Sequence, residues 1–178
     1  MTFTALKREK QYQGRVFDVS SVQIRFPDGR EREYDLVEHG DSVTILPVDD
    51  KGNITFVSQH RLGAGGTLLE LPAGVLDPGE SPLTSARREL REETGKDARE
   101  FTKLGGFYLA PGYSDEYMTV FLAVGLFDAP LDGDEDEMIN LQLIPIKKAY
   151  QKASEGDIQD GKTLAALILG WSFLQKLA

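Results

Sequence analysis

Along much of the chain apolar residues alternate with polar ones, and elsewhere they form short runs. Both patterns predict β-strands. Residues 3–38 predict two or three strands with a turn at Pro27-Asp28-Gly29. The apolar run 42–48 ends at an Asp-Asp-Lys-Gly turn, and we expect it to begin a core sheet with 54–59 as its partner. Further strands are predicted at 68–71, 101–109 and 117–126.

Two helices are predicted near the end of the chain, at 144–154 and 160–177, with Asp160 as the N-cap of the second. In the second helix a set of apolar residues recurs at helical spacing and is expected to face the core: Leu164, Leu167, Ile168, Trp171 and Leu174. Strands followed and separated by helices indicate one α/β domain.

Another helix is predicted between Ser81 and Gly95. Ser81 is a suitable N-cap, and Pro82 fits the first turn because its missing N–H is not needed there. Gly95 can end the helix in a left-handed cap. The apolar residues of this helix form one stripe: Leu83, Ala86 and Leu90.

Composition narrows the kinds of partner. The 178 residues are 40% hydrophobic, which suits one domain with a sizeable core. There are 29 acidic and 20 basic residues, so the net charge of −9 disfavours nucleic acid as the main partner. With no cysteine, neither a disulfide nor a thiol nucleophile is available. No apolar run approaches membrane-spanning length, and we expect a cytoplasmic protein without a membrane partner.

Three carboxylates crowd one flank of the Ser81–Gly95 helix, because Glu89 lies three and four residues before Glu92 and Glu93. A Glu-rich flank is usually a solvated acidic surface. The alternative is a site for a divalent cation with oxygen ligands, which suits Mg²⁺ or Mn²⁺. An anionic substrate of this acidic protein would then be attracted by the metal and a few local arginines.

The carboxylates belong to a longer frame, Gly74-x5-Glu80-x7-Arg88-Glu89-Leu90-x-Glu92-Glu93-x-Gly95. This frame resembles the Nudix box of hydrolases that cut a nucleoside diphosphate linked to another group. It departs from that pattern only at Lys96, where the family has an aliphatic residue. The resemblance implies the Nudix fold, a mixed β-sheet core flanked by helices in an α/β/α sandwich, here with an N-terminal antiparallel strand extension.

The same resemblance implies roles for residues of the box. Metal ligands would be the Ala73 carbonyl, Glu89 and Glu93, with Glu92 nearby, and Glu93 and Glu92 would act in catalysis. Arg88 would be structural and pair with Glu92 or Glu80. Many Nudix enzymes take a general base from a loop glutamate outside the box. Glu135 and Glu137 fit that role by position, although so acidic a run (127–138) is more often only a solvated loop.

Pro111 lies shortly after the box, within Pro-Gly-Tyr-Ser-Asp-Glu, and 69–74 reads Leu-Glu-Leu-Pro-Ala-Gly. Both segments look like the ADP-ribose pyrophosphatase branch of the Nudix superfamily. That branch implies cleavage of ADP-ribose to AMP and ribose 5-phosphate by a homodimer with exchanged N-terminal strands. Residues 1–41 would be the strand extension used for dimerisation, as part of the same domain, and 42–178 the hydrolase domain.

Within that branch three residues are candidates for substrate binding. Phe17 would stack on the base, Arg61 would bind a phosphate, and Glu116 would bind a ribose hydroxyl or a water. Two alternatives stay open. The substrate could be another nucleoside diphosphate sugar, or the chain could be a nucleotide-sensing module that does not cut, which the three intact box glutamates disfavour.

Overall fold

The chain divides into two units in a computed structural model that describes residues 2–133 and 138–177. The first unit contains Met1–Asp41 and Tyr108–Tyr117, and the second contains Ser42–Phe107 and Met118–Ala178. The second unit carries the box.

The first unit is built on a three-stranded antiparallel sheet, β1 (Thr4–Gln13), β2 (Phe17–Arg25) and β3 (Glu31–His39), in the order β1-β2-β3. The predicted turn joins β2 to β3, where the Phe26 N–H donates to Arg30 and the Gly29 N–H donates to Phe26. These strands confirm the prediction for residues 3–38. β1 is exposed along its whole length, as expected of an edge strand with no second layer over it in one chain.

The second unit is built on a mixed sheet in the order β10-β5-β4-β9-β8, with β6 paired to β5 and β7 paired to β4. β4 runs parallel to β9 and antiparallel to β5 and β7. The strands are β4 (Ser42–Val48), β5 (Asn53–Arg61), β6 (Gly66–Glu70), β7 (Ala73–Val75), β8 (Lys96–Tyr108), β9 (Tyr117–Asp128) and β10 (Asn140–Pro145).

Helices cover both faces of this sheet: α1 (Pro82–Thr94), α2 (Ile146–Glu155) and α3 (Gly161–Leu174). Because side chains alternate along a strand, Val43 and Ile45 of β4 pack in a cluster with α1, whereas Leu46 packs in a second cluster with α2 and α3. β4 is therefore buried on both sides, which explains its unbroken apolar run. The predicted α/β/α sandwich is confirmed.

Several details differ from the predictions. β10 was not predicted, and α2 begins at Ile146 because residues 140–145 pair with β5. In α3, Ile168 and Trp171 are 73% and 47% exposed, so their assignment to the core was wrong. The helix instead packs through Gly170, where an added Cβ would lie 2.5 Å from a Leu46 methyl.

Leu83 of α1 is likewise exposed, while Ala86 and Leu90 of the predicted stripe are fully buried. Leu83 lies in the first turn of α1, beyond the part that contacts the sheet cluster. Within the described parts of the chain, no helix is long and apolar enough to cross a membrane.

Candidate active site

The helix that carries the box begins and ends as its sequence predicts. The Ser81 hydroxyl accepts a hydrogen bond from the Thr84 N–H at 3.2 Å, and Pro82 occupies the first helical position. Gly95 has φ of 70°, and its N–H donates to the Arg91 carbonyl at 2.9 Å. Ala86 and Leu90 anchor the helix on the sheet, so the glutamate flank is held in a defined orientation.

Glu89 and Glu93 lie on the side of α1 that faces β7, and they are only 9% and 8% exposed. The Glu89 carboxylate lies over Gly74, where a Cβ would come within 2.0 Å of the carboxyl carbon. The Ala73 N–H donates to Glu93 Oε2 at 3.3 Å. Only glycine at position 74 allows this approach of strand and carboxylate.

Arg88 lies among the other carboxylates of the box. Its guanidinium donates to both oxygens of Glu80, at 3.2 and 2.9 Å, to Glu89 at 2.6 Å and to Glu92 at 2.9 Å. A further bond to the Val75 carbonyl, at 3.1 Å, fixes α1 to the end of β7. The prediction that Arg88 pairs with Glu80 or Glu92 is confirmed, and it pairs with both.

Arg88 and its carboxylate partners stabilise one another in their charged forms. Bonding to Glu80 is the main cause that raises the pKa of Arg88, against an opposing effect of burial. The same bond lowers the pKa of Glu80. Arg88 thus reduces the like-charge repulsion that three glutamates on one flank would otherwise cause.

The residues around Gly74 fit a hard divalent cation. Glu89 and Glu93, four positions apart on α1, offer carboxylate oxygens. The predicted third ligand is also an oxygen atom, that of the Ala73 carbonyl. Residues 2–133 and 138–177 contain no cluster of three acidic or imidazole side chains in ligating geometry. The predicted set needs only two side chains, because its third protein ligand is a main-chain carbonyl.

A second charged cluster, which the sequence did not predict, lies at the ends of β5 and β6. Arg61 donates from Nε and Nη2 to the two oxygens of Glu70, at 2.9 and 2.7 Å. Glu70 is 1% exposed, and its Oε2 also accepts from Lys162 at the start of α3. The available signal was an acidic residue between Leu69 and Leu71, where a buried strand would otherwise be apolar.

Arg61 is electrostatically linked to the box. Hydrogen bonding to Glu70 is the main cause that raises the pKa of Arg61, burial opposes it, and the charge of Glu93 adds to it. Glu70 binds one edge of the guanidinium, and 40% of the Arg61 side chain stays exposed. The Arg61 guanidinium is therefore within range of the charge of Glu93, a carboxylate of the box.

Glu135 and Glu137 lie outside the described residues. The chain leading to them follows α1, because the Ala129 N–H donates to Gly95 and the Arg91 Nε donates to the Ala129 carbonyl, at 2.9 and 2.8 Å. At Gly133 an added Cβ would lie 3.4 Å from the Glu92 carbonyl oxygen. Residue 133 is therefore adjacent to the carboxylate helix.

Phe17 and Glu116 belong to the first unit. The exposed Phe17 ring lies 6.4 Å from the Tyr12 ring. Glu116 Oε1 is 3.7 Å from His39 Nδ1. Residues 110–114 form a tight turn around Pro111, in which the Tyr113 and Ser114 N–H groups both donate to the Ala110 carbonyl.

The fold is a mixed sheet between helices, and its site is a helix whose buried carboxylates pack against Gly74 of β7. These two features define a class of proteins, and comparison with known proteins identifies that class. Residues 38–167 match the NUDIX domain. The chain therefore belongs to the NUDIX family.

Individual proteins are similar over nearly the whole chain. The ADP-ribose pyrophosphatase of Bacillus subtilis (strain 168) is 34% identical over 91% of this chain and 89% of its own length. The ADP-ribose pyrophosphatase of Mycobacterium tuberculosis (strain ATCC 25618 / H37Rv) is 37% identical over 93% and 82%. A crystal structure of an ADP compounds hydrolase superposes with a TM-score of 0.88, at 28% identity, covering 99% of this chain and 96% of that one.

Proposed function

We propose that the protein hydrolyses the pyrophosphate bond of ADP-ribose, in a metal-dependent reaction that releases AMP and ribose 5-phosphate. The observation that carries this proposal is the similarity to two proteins named ADP-ribose pyrophosphatase, which extends over more than nine tenths of the chain. The complete set of box glutamates favours an enzyme over a module that only senses a nucleotide.

Glu89, Glu93 and the Ala73 carbonyl would hold the cation, Mg²⁺ or alternatively Mn²⁺. The bound cation would supply charge neutralisation at the pyrophosphate oxygens and would lower the pKa of an attacking water. The protein supports this by burying Glu89 and Glu93 against β7. Glu92, held by Arg88 at 2.9 Å, is a further candidate to orient the water or a second cation.

In the reaction, water attacks one phosphorus of the pyrophosphate and the bridging P–O bond breaks, which leaves one phosphate on each product. The proton of the water passes to a carboxylate, for which Glu135 and Glu137 are our candidates. Their support is the course of residues 129–133 along α1, which ends with Gly133 next to Glu92. A positioned general base contributes about 10²–10⁴-fold.

Arg61 would bind a phosphate oxygen of the substrate. Glu70 occupies its Nε and Nη2 edge, and the exposed part of the side chain can meet an anion. The planar guanidinium suits phosphate. Arg61 is bonded to Glu70, three residues before the predicted ligand Ala73, which supports a phosphate role near the metal ligands.

A homodimer with exchanged N-terminal strands would complete the substrate site, with Phe17 stacked on the adenine and Glu116 bound to a ribose hydroxyl or water. The support is an exposed β1 and apolar side chains exposed on the first unit, among them Phe3, Tyr12 and Phe17. Light scattering should give about twice the 19.7 kDa chain mass. An active monomer at micromolar concentration would exclude both the dimer and the role of Phe17. The cytoplasmic location stays a prediction.

The test of function is kcat/KM for ADP-ribose, ADP-glucose, GDP-mannose and dGTP, with AMP or phosphate release as the readout. The turn at Pro111 is a rigid element suited to shaping a pocket for a terminal ribose, because proline restricts φ. We expect ADP-ribose to be preferred, with the difference appearing in kcat/KM. A preference of tenfold or more for dGTP would show that this is a triphosphate-cleaving enzyme.

A further inference from the structure

Lys162 is an unusual residue for its position, because it is a lysine buried at the start of α3. Its side chain is 10% exposed and is bound to two carboxylates, Glu70 and Asp160. Lysine is almost never buried without a partner, since removing its charge from water is costly. Its burial therefore depends on this ion cluster, which joins residues 92 positions apart in the sequence.

The cluster is rigid at both ends. Asp160 is the N-cap of α3, where its Oδ2 accepts from the Thr163 N–H at 3.0 Å and from the Thr163 hydroxyl at 2.6 Å. The same hydroxyl accepts from the Leu71 N–H at 2.8 Å, which joins α3 to the residue after β6. Glu70 and Lys162 are thus held by the main chain of two elements that are themselves bonded together.

Pairing with Glu70 alone would not suit Arg61 to bind an anion, for a reason of charge. An arginine paired with one carboxylate forms a neutral pair, which attracts an anion weakly. Lys162 adds a positive charge to Glu70, and the negative charge of Asp160 is partly used in capping the positive N-terminus of α3. The cluster can therefore hold Arg61 in place and leave it attractive to an anion.

We propose that Glu70 and Lys162 are positioning residues, which hold Arg61 in the orientation that binds a phosphate of a nucleoside diphosphate substrate. This inference rests on the proposed function of Arg61. Burial pushes the pKa of Glu70 upward, but bonding to Arg61 and the charge of Lys162 outweigh burial and lower it. Glu70 is thus kept ionised, as this role requires.

The test is a set of variants assayed with ADP-ribose and Mg²⁺. Lys162→Met keeps the length and apolar stem of the side chain but removes its charge, so we expect KM to rise about tenfold with a smaller change in kcat. Lys162→Arg should restore KM to within about threefold of wild type. The control Lys152→Met removes an exposed ion pair between α2 and Asp157, which follows that helix, and should leave KM unchanged.

A double-variant cycle with Arg61→Met separates positioning from a general structural effect. If Lys162 acts through Arg61, Lys162→Met should change KM little once Arg61 is methionine. An equal rise of KM in both backgrounds, or no rise in the wild-type background, would overturn the inference. Should Lys162→Met unfold, as judged by circular dichroism, Glu70→Gln removes the same ion pair at nearly constant volume and enters the same cycle. If wild type cleaves none of the four substrates above, the proposed function itself fails, which is a separate result.

Discussion

Gly74→Ala is the sharpest perturbation of the carboxylate site, because it adds one methyl group and no charge. The new Cβ would lie 2.0 Å from the Glu89 carboxyl carbon, whereas carbon atoms in contact are about 3.5–4.0 Å apart. Glu89 or β7 must therefore move by about 1.5 Å or more. A misplacement of about 1 Å can cost about 10²-fold in rate, so we expect kcat/KM to fall at least about 10²-fold, or about 2.7 kcal/mol.

The assay is AMP release from ADP-ribose across a Mg²⁺ titration, with thermal unfolding measured in parallel. Gly161→Ala is the control, since among the described residues nothing lies within 4 Å of its added Cβ. Gly74→Ala/Glu89→Asp should regain thermal stability, because aspartate is shorter by one methylene, but should not regain activity. If Gly74→Ala keeps activity within about threefold of wild type, the contact between β7 and Glu89 does not position a ligand.

Three further outcomes are expected. Glu93→Gln should lower kcat by orders of magnitude, because a predicted metal ligand is lost. Its melting temperature should be equal to that of wild type or slightly higher, because like-charge repulsion is relieved. EDTA should abolish wild-type activity and Mg²⁺ or Mn²⁺ should restore it, and full activity in EDTA would contradict the metal role. Glu135→Gln and Glu137→Gln should differ in kcat, with the larger loss about 10²-fold or more, and two unaffected variants would place the base elsewhere. The folded-state pKa of Glu70 lies below its ordinary value of 4.5, so Glu70 stabilises the fold above that pH and the contribution is lost as pH falls through the folded pKa. Acid titrations of the melting temperature should therefore show Lys162→Met losing stability at a higher pH than wild type, and coincident curves would contradict this.

Local features of the box could be predicted because they depend on neighbours within a turn or two. Ser81 and Gly95 cap α1 through bonds to residues three or four positions away. The pairing of Arg88 with Glu92 likewise follows from helical spacing. The strands of the first unit were predictable for the same reason, since alternation and a Pro-Asp-Gly turn are local signals.

The facing of α3 could not be predicted from its apolar pattern. Its apolar residues surround much of the helix, so periodicity identifies a helix without deciding which side packs. Steric fit decides it: Gly170 allows α3 to approach Leu46, and Ile168 and Trp171 are then turned outward. The strand β10 was missed for a related reason, because its pairing with β5 is a contact between distant segments.

The sequence by itself determined the family and the carboxylate helix, because both follow from one short frame, Gly74–Gly95. Only the tertiary structure decided that Gly74 lies under Glu89 and that Glu70 is bonded to both Arg61 and Lys162. Those contacts join residues from different strands and helices, and burial makes their charges depend on one another. Local sequence patterns do not predict contacts between distant residues, because these contacts depend on how the sheet packs against its helices.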